Sequence, residues 1–429
     1  MIRRAVAVAG LLAAATAAHA EPAAEVAAQA ERIVENYRRA IVLHEAPPAG
    51  RQREATVAGL YLYYENRRAV ASLVQRLVDP QHGDEYAEAL VRQLRERADW
   101  RDLDRLALAG VVNEALLYRR AGSAGEDDFR KLQRDFRATR AAYDAELTGA
   151  LAERAAGPPH RPAWNAYLAS LRQQYPPARI LEELKAPLER APSPPLSAER
   201  AGALDSALRD EWTDGGLPPR TLLLTFDDGP HPQYTPRVLD VLDRFGVKAV
   251  FFLVGRNLGA VRDGRAENLR NTEIVRDILR RGHAIANHSM SHPFLPKLDE
   301  VHVAEEIDDA EDLLAAATAG APARAPLFRP PYGARNALVL ADAAERGLRS
   351  VLWNIDSRDW ADPIPRSIAG RVAEEAEREG RGIILFHDIH LRTVEALPVA
   401  LEALVKRGFS FAYWDGSGLA APSTPKEAR

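Results

Sequence analysis

Cysteine is absent from the 429 residues. Disulfide staples, thiolate metal ligands and a cysteine nucleophile are therefore excluded, and any metal ion must be held by His, Asp or Glu. Methionine occurs only twice. A strong charge of one sign is also missing: the formal net charge is −4, which argues against a nucleic-acid partner. The longest apolar run, Ala5–Ala18, falls short of the ~20 residues that a membrane span requires. What remains is ordinary globular composition, with 46% apolar and 28% charged residues, in a chain long enough for two or three domains of ~150 residues.

Residues 1–20 read as a secretory signal peptide. Arg3 and Arg4 form the positive start, Ala5–Ala18 the apolar stretch, and Ala18-His19-Ala20 a small-residue cleavage site before Glu21. No cysteine follows the cleavage site, so a lipid anchor is not expected there. The expected location is the periplasm, reached by the general secretory route, or the exterior; an Ala- and Arg-rich composition favours the periplasm of a Gram-negative bacterium.

Two regions of different character follow. Over residues 21–200, Ala, Leu, Arg and Glu dominate and apolar residues recur at helical spacing, as in Ala71, Leu73, Val74, Leu77 and Val78. Breaks at Pro47-Pro48, Asp79-Pro80, Gly122–Gly125 and Gly157-Pro158-Pro159 divide the region into six to eight predicted helices. With 27 basic and 27 acidic residues it is neutral, and it carries no chemistry-bearing constellation. It is expected to guide substrate, to dock on export machinery or to cap the second domain. A linker or domain edge is expected over 201–218, after the Pro-rich stretch Ala191–Ser197. From 219 to 415, short β-branched or aromatic runs, among them Thr221–Phe226, Ser350–Ile355 and Gly382–Phe386, alternate with amphipathic stretches, which predicts an α/β fold on a mostly parallel sheet. A disordered tail is expected over 416–429. In such folds function collects at the C-terminal ends of the strands.

Polar clusters stand at five predicted strand ends. Thr225-Phe226-Asp227-Asp228-Gly229-Pro230 follows an apolar run. Adjacent strand residues point to opposite faces, but a turn before Gly-Pro can bring both acids into one cleft, one as metal ligand and one as base. His288 and His292 are spaced as on one side of a helical turn, where both can reach one ion. Two imidazoles and one carboxylate form a three-ligand set, which is a catalytic rather than structural pattern. Phe328-Arg329-Pro330-Pro331-Tyr332-Gly333 presents an Arg able to hold a carboxylate, and backbone N–H groups able to face a reacting oxygen. Asp356-Ser357-Arg358-Asp359-Trp360 and Leu385-Phe386-His387-Asp388 suggest a His oriented by a neighbouring Asp. Each cluster alone suits a plain turn or a buried His equally well; five at successive strand ends point to a site.

These five segments, in order and spacing, resemble the motifs of the polysaccharide deacetylase family, also called the NodB-homology domain or carbohydrate esterase family 4. The intervening text His231–Pro236 and Val247–Phe252 is similar as well. The resemblance covers residues 219–415 and implies a distorted (β/α)7 barrel that hydrolyses N-acetyl groups on a polysaccharide with one divalent metal. It further implies Asp228, His288 and His292 as ligands, Asp227 as general base held by Arg329, and Tyr332 N–H in the oxyanion hole. His387 would be the general acid tuned by Asp359, with Trp360 and Leu385 walling the acetyl methyl. Zinc suits two His and one Asp, and cobalt, manganese or nickel fit the same donors. The substrate class expected is an exopolysaccharide or peptidoglycan of N-acetylglucosamine type. Hydrolysis of another amide or of O-acetyl esters, and an inactive glycan-binding role, are the alternatives. A charged segment between Asn257 and Asn271 is longer than the family pattern and is expected to decorate the groove.

Overall fold

The computed structural model describes residues 2–152, 162–189, 198–214, 216–318 and 324–423. The Pro-rich stretch Ala191–Ser197 and the break at Gly157–Pro159 lie outside them. The chain divides into two compact units, Met1–Lys185 and Ala186–Arg429.

The first unit is helical, with its long helices at Ile2–Glu45, Gln52–Leu77, Gly83–Glu96 and Glu126–Ala152. In the first of these, Val26, Ala30, Ile33, Val34, Tyr37 and Ile41 are buried, a stripe at three- and four-residue spacing that sets the core-facing side. One buried polar cluster crosses this core. Arg38 donates two hydrogen bonds of 2.8 Å to the carboxylate of Asp104, which also accepts from the Tyr167 hydroxyl at 2.7 Å. Burial alone would push the Asp104 carboxyl up, but these donors hold it below its ordinary range. Three segments far apart in sequence are tied together by that cluster. Among the described residues no helix is long and apolar enough to cross a membrane.

The second unit is built on strands β1 (Thr221–Asp227), β2 (Ala249–Leu253), β3 (Ala260–Arg262), β4 (Arg265–Glu267), β5 (Ala284–Asn287), β6 (Arg324–Phe328), β7 (Arg349–Ser350), β8 (Ile355–Asp356), β9 (Gly382–His387), β10 (Ser410–Trp414) and β11 (Leu419–Ser423). Eight of them pair in parallel, seven in the order β8-β9-β1-β2-β5-β6-β7 and β10 beside the start of β1. Among the described residues β7 and β8 are not paired, so the barrel is open at that seam. Helices Tyr234–Phe245, Thr272–Arg280, Glu300–Thr318, Ala337–Glu345, Pro365–Glu379 and Leu391–Lys406 connect the strands. The α/β architecture of a distorted (β/α)7 barrel, preceded in the chain by a helical region, is thus the one expected.

Alternation along the strands divides two cores. Leu222, Leu224 and Phe226 of β1 face outward and pack with Val238, Leu242, Leu397 and Leu401 of the covering helices. Leu223 faces inward with Val250, Phe252, Ala286, Leu327 and Ile383. Phe226 stacks between Phe251 at 5.0 Å and Phe386 at 5.7 Å. Burying each such ring contributes about 1.5–3 kcal/mol, so the strand ends sit on a stiff support.

Three expectations change. The single strand expected at Ser350–Ile355 is split into β7 and β8: the Val351 and Leu352 N–H groups still bond to the Phe328 and Trp212 carbonyls, but their own carbonyls are given to Arg329 and do not continue the ladder. Residues 201–210 are not linker but part of a helix, Ala198–Asp210, and Arg200 at its start pairs with Glu300, Asp342 and Glu345. The predicted tail contains a strand, since β11 pairs antiparallel with β10; residues 424–429 lie outside the described ones. The charged segment after Asn257 is a hairpin, β3 with β4, turning at Asp263 and Gly264, both with positive φ.

Candidate active site

Inward parity continues to the strand ends and delivers three of the candidate side chains, Asp227, Leu385 and His387. On β1 the inward series Leu223, Thr225, Asp227 ends in a carboxylate, and on β9 the series Ile383, Leu385, His387 ends in an imidazole; β1 and β9 pair Thr225 with Leu385 and Asp227 with His387. Asp228 breaks the parity. Its φ of 75° lies in the left-handed region, which turns the second carboxylate back toward the first. Asn257 holds this turn by donating to the Asp228 carbonyl at 2.7 Å and the Gly229 carbonyl at 3.0 Å.

His288 and His292 converge, but not on a helical turn. Residues 288–294 form an irregular loop, with Ser289 at φ 65° and His292 at φ 61°. The loop is fixed internally: Ser289 N–H donates to Asn287 Oδ1 at 2.8 Å and His292 N–H to Ser289 Oγ at 3.0 Å. The imidazole Nε2 of His288 lies 3.6 Å from Asp228 Oδ1, and that of His292 lies 3.4 Å from the same oxygen. One ligand atom each from Asp228, His288 and His292 fall within 4.8 Å of one another, all buried. His288 Nδ1 lies 2.6 Å from the Arg329 carbonyl. A carbonyl only accepts, so the proton sits on Nδ1 and the Nε2 lone pair faces the cluster. That Nε2 is buried and makes no hydrogen bond, which is the condition of a donor atom awaiting a cation.

Arg329 is fully buried and lies over Phe252 with 4.2 Å from guanidinium carbon to ring centre. It donates to Asp227 Oδ1 at 2.6 Å, Thr225 Oγ1 at 2.9 Å, and the Val351 and Leu352 carbonyls at 3.0 Å. One oxygen of Asp227 is thereby fixed. The other is 3.5 Å from His288 Nε2. Tyr332, two residues past the prolines' start, has φ 63°; its ring lies 4.8 Å from that of His292.

His387 and Asp359 form a second buried pair. Nδ1 of His387 donates to Asp359 Oδ1 at 2.6 Å, the His387 N–H to Oδ2 at 2.8 Å, and the Thr393 hydroxyl to Oδ2 at 2.6 Å. Burial disfavours the imidazolium, but the Asp359 carboxylate, aided by Asp228 and Asp227, outweighs it and pushes His387 up to about 9. Asp359 is held below its ordinary value despite burial, by the charge and hydrogen bonds of His387. Leu385 and Trp360 are both buried at the same end, and Arg392 donates to the Trp360 carbonyl at 3.0 Å.

The chain also brings in residues with no sequence signal for their part. Asn257, Thr235, Thr393 and Asp388 all bear on the site through contacts between distant segments. Asp388 is fully buried, accepts from the Thr235 hydroxyl, and is pushed up to about 7, chiefly by burial. Its carboxylate lies so close to Gly229 that a Cβ there would clash with Oδ2. Gly229→Ala is therefore expected to displace Asp388 or the Asp228 turn, lowering kcat about tenfold or more and stability by about 1–3 kcal/mol. Acetate-release kinetics and a melting curve check this; an alanine variant with unchanged kcat would show that the close approach is irrelevant to the site.

Residues 214–351 match the family model described as polysaccharide deacetylase. The segments Asp356–Trp360 and Leu385–Asp388 lie beyond that match. A chitooligosaccharide deacetylase of Rhizobium leguminosarum bv. trifolii is 36% identical over 213 residues, covering 46% of this chain and 92% of that protein. A peptidoglycan-N-acetylglucosamine deacetylase of Bacillus cereus is 35% identical over 198 residues, covering 45% of this chain and 85% of the other. Among solved structures, a family 4 carbohydrate esterase from Streptomyces lividans in complex with acetate is 31% identical, with 47% of this chain and 96% of that chain covered at a TM-score of 0.40. The chain belongs to the polysaccharide deacetylase family.

Proposed function

We propose that this enzyme hydrolyses N-acetyl groups of an N-acetylglucosamine-containing polysaccharide of the cell envelope, giving acetate and a free amine, with one divalent metal ion. The observation that carries the reading is the convergence of Asp228, His288 and His292 within 4.8 Å of one another, flanked by the Asp227–Arg329 and His387–Asp359 pairs. The names of the relatives, which act on chitooligosaccharide and on peptidoglycan N-acetylglucosamine, support the substrate class.

Two imidazole nitrogens and one carboxylate fit a first-row divalent ion, zinc foremost, with cobalt, manganese and nickel suited to the same donors. Bound there, the ion supplies Lewis-acid polarisation of a carbonyl and acidifies water. The chain's own residues do the rest. Asp227, oriented by Arg329, takes the proton of the attacking water. His387, kept protonated by Asp359, gives a proton to the departing nitrogen, because an amine leaves far more readily than an amide anion. The Tyr332 N–H is assigned to the developing oxyanion, and Leu385 and Trp360 to the acetyl methyl.

Arg3 and Arg4 ahead of Ala5–Ala18 support export to the periplasm or beyond. The test is acetate release from three substrates: chitin-type oligomers, peptidoglycan and an N-acetylated exopolysaccharide. Release from at least one is expected. Release from none by metal-loaded protein, or release only from O-acetyl esters, would sink the reading.

A further inference from the structure

The residues just before the family match make contacts that reach both sides of the site. Trp212 extends the sheet: its N–H donates to the Ser350 carbonyl at 3.0 Å, and its carbonyl accepts from Leu352 N–H at 2.7 Å. The segment so held is the one whose Val351 and Leu352 carbonyls clamp Arg329. Beside it, the Glu211 carboxylate accepts from the Ser350 hydroxyl at 2.8 Å and takes a two-pronged pair from Arg335, at 2.8 and 2.5 Å. Arg335 in turn donates to the Gly333 carbonyl at 3.1 Å. Gly333 follows Tyr332, and both have positive φ; glycine adopts this freely, but at Tyr332 the shape persists only when neighbours enforce it. A Cβ on Gly333 would meet Trp353 at 3.1 Å, so this turn is enclosed on its other side.

We propose that Glu211 is a positioning residue: with Trp212 it straps the 350–352 segment, which holds Arg329 and through it Asp227, to the Tyr332-Gly333 turn. The inference rests on the deacetylase reading above. It gives a function to residues that look like linker in the sequence. The carboxylate is the required group, since only an acceptor with two oxygens can take the fork of Arg335 and the Ser350 hydroxyl together. Glu211 touches neither the ligand cluster nor the reacting atoms, so its loss should reach the chemistry only through geometry.

The test uses full-length metal-loaded protein, wild type beside Glu211→Gln, Arg335→Ala and the double variant. Expected for Glu211→Gln is a fall in kcat of about ten- to a hundredfold, with KM within about twofold and metal affinity unchanged. The double variant should be no worse than the weaker single one, because both cut the same strap. Amide hydrogen exchange supplies a readout independent of turnover: protection should drop at Gly333–Ala334 and Val351–Leu352 and persist at β1. A merely structural Glu211 would lower the melting temperature while leaving kcat of the folded enzyme and that exchange pattern as in wild type, which overturns the proposal. Wild-type protein that releases no acetate overturns the deacetylase reading itself, and is recognised because it precedes any comparison of variants.

Discussion

Asp227→Asn is expected to lower kcat for acetate release by about 10³- to 10⁴-fold while leaving the bound metal in place. The substitution keeps the shape of the side chain and its contact to Arg329 Nη1, now 2.6 Å from Oδ1, but removes the group that takes the proton from water, a step that contributes about 10²–10⁴ in rate. Arg329 remains held by Thr225 Oγ1 and the carbonyls of Val351 and Leu352, so the fold survives, destabilised because a buried guanidinium has lost its counter-charge. Asp228→Asn should act differently. It removes one of three ligands, so both metal affinity and turnover fall. Metal titration and kinetics on the two variants separate the roles of adjacent residues. Loss of metal from Asp227→Asn, with retention in Asp228→Asn, would exchange the two assignments.

That contrast shows why part of the site is readable in sequence. Asp227, His387 and Leu385 lie on regular strands, and period-two alternation places them in the barrel once the strands are known. Asp228, His292 and Tyr332 obey no such period. Each has positive φ, and what selects that conformation is contact with segments far along the chain, such as Asn257 on the Asp228 turn. Sequence spacing alone makes His288 and His292 look like neighbours on a helix; the loop that brings them together is held instead by Asn287 and Ser289.

The same distinction applies to the fold. The runs of β1, β2 and β9 are continuous and buried, hence legible. The split at Val351–Asn354 is not, because it follows from Arg329 claiming two carbonyls. Nor does composition separate Glu211–Trp212 from linker: its place is fixed by Ser350 and Arg335, more than a hundred residues away. The strand β11 escapes for a related reason, since Leu419–Ser423 has little strand character of its own and pairs only because β10 offers an edge.

Asp359→Asn carries the second large effect, and its sign follows from the environment of His387. With Asp359 present the imidazolium persists up to about 9, so proton donation should fail on the alkaline side near that pH. The native pair also stabilises the fold most fully below ~6.5, the ordinary histidine value, and that contribution fades as pH rises toward about 9. Replacing the carboxylate by an amide removes the strongest influence that raises His387 and leaves burial opposed only by Asp228 and Asp227, so the imidazole should lose its proton at lower pH than in wild type. At pH 8 the variant then holds a neutral imidazole with no proton to give, and kcat should fall about 10²-fold or more. Because the defect is one of protonation, activity should recover partly as pH is lowered toward 5–6, where wild type gains nothing comparable. Profiles of kcat against pH for both proteins decide the matter. An alkaline limb that stays near pH 9 in Asp359→Asn would mean that His387 is not the proton donor, or that another group keeps it charged.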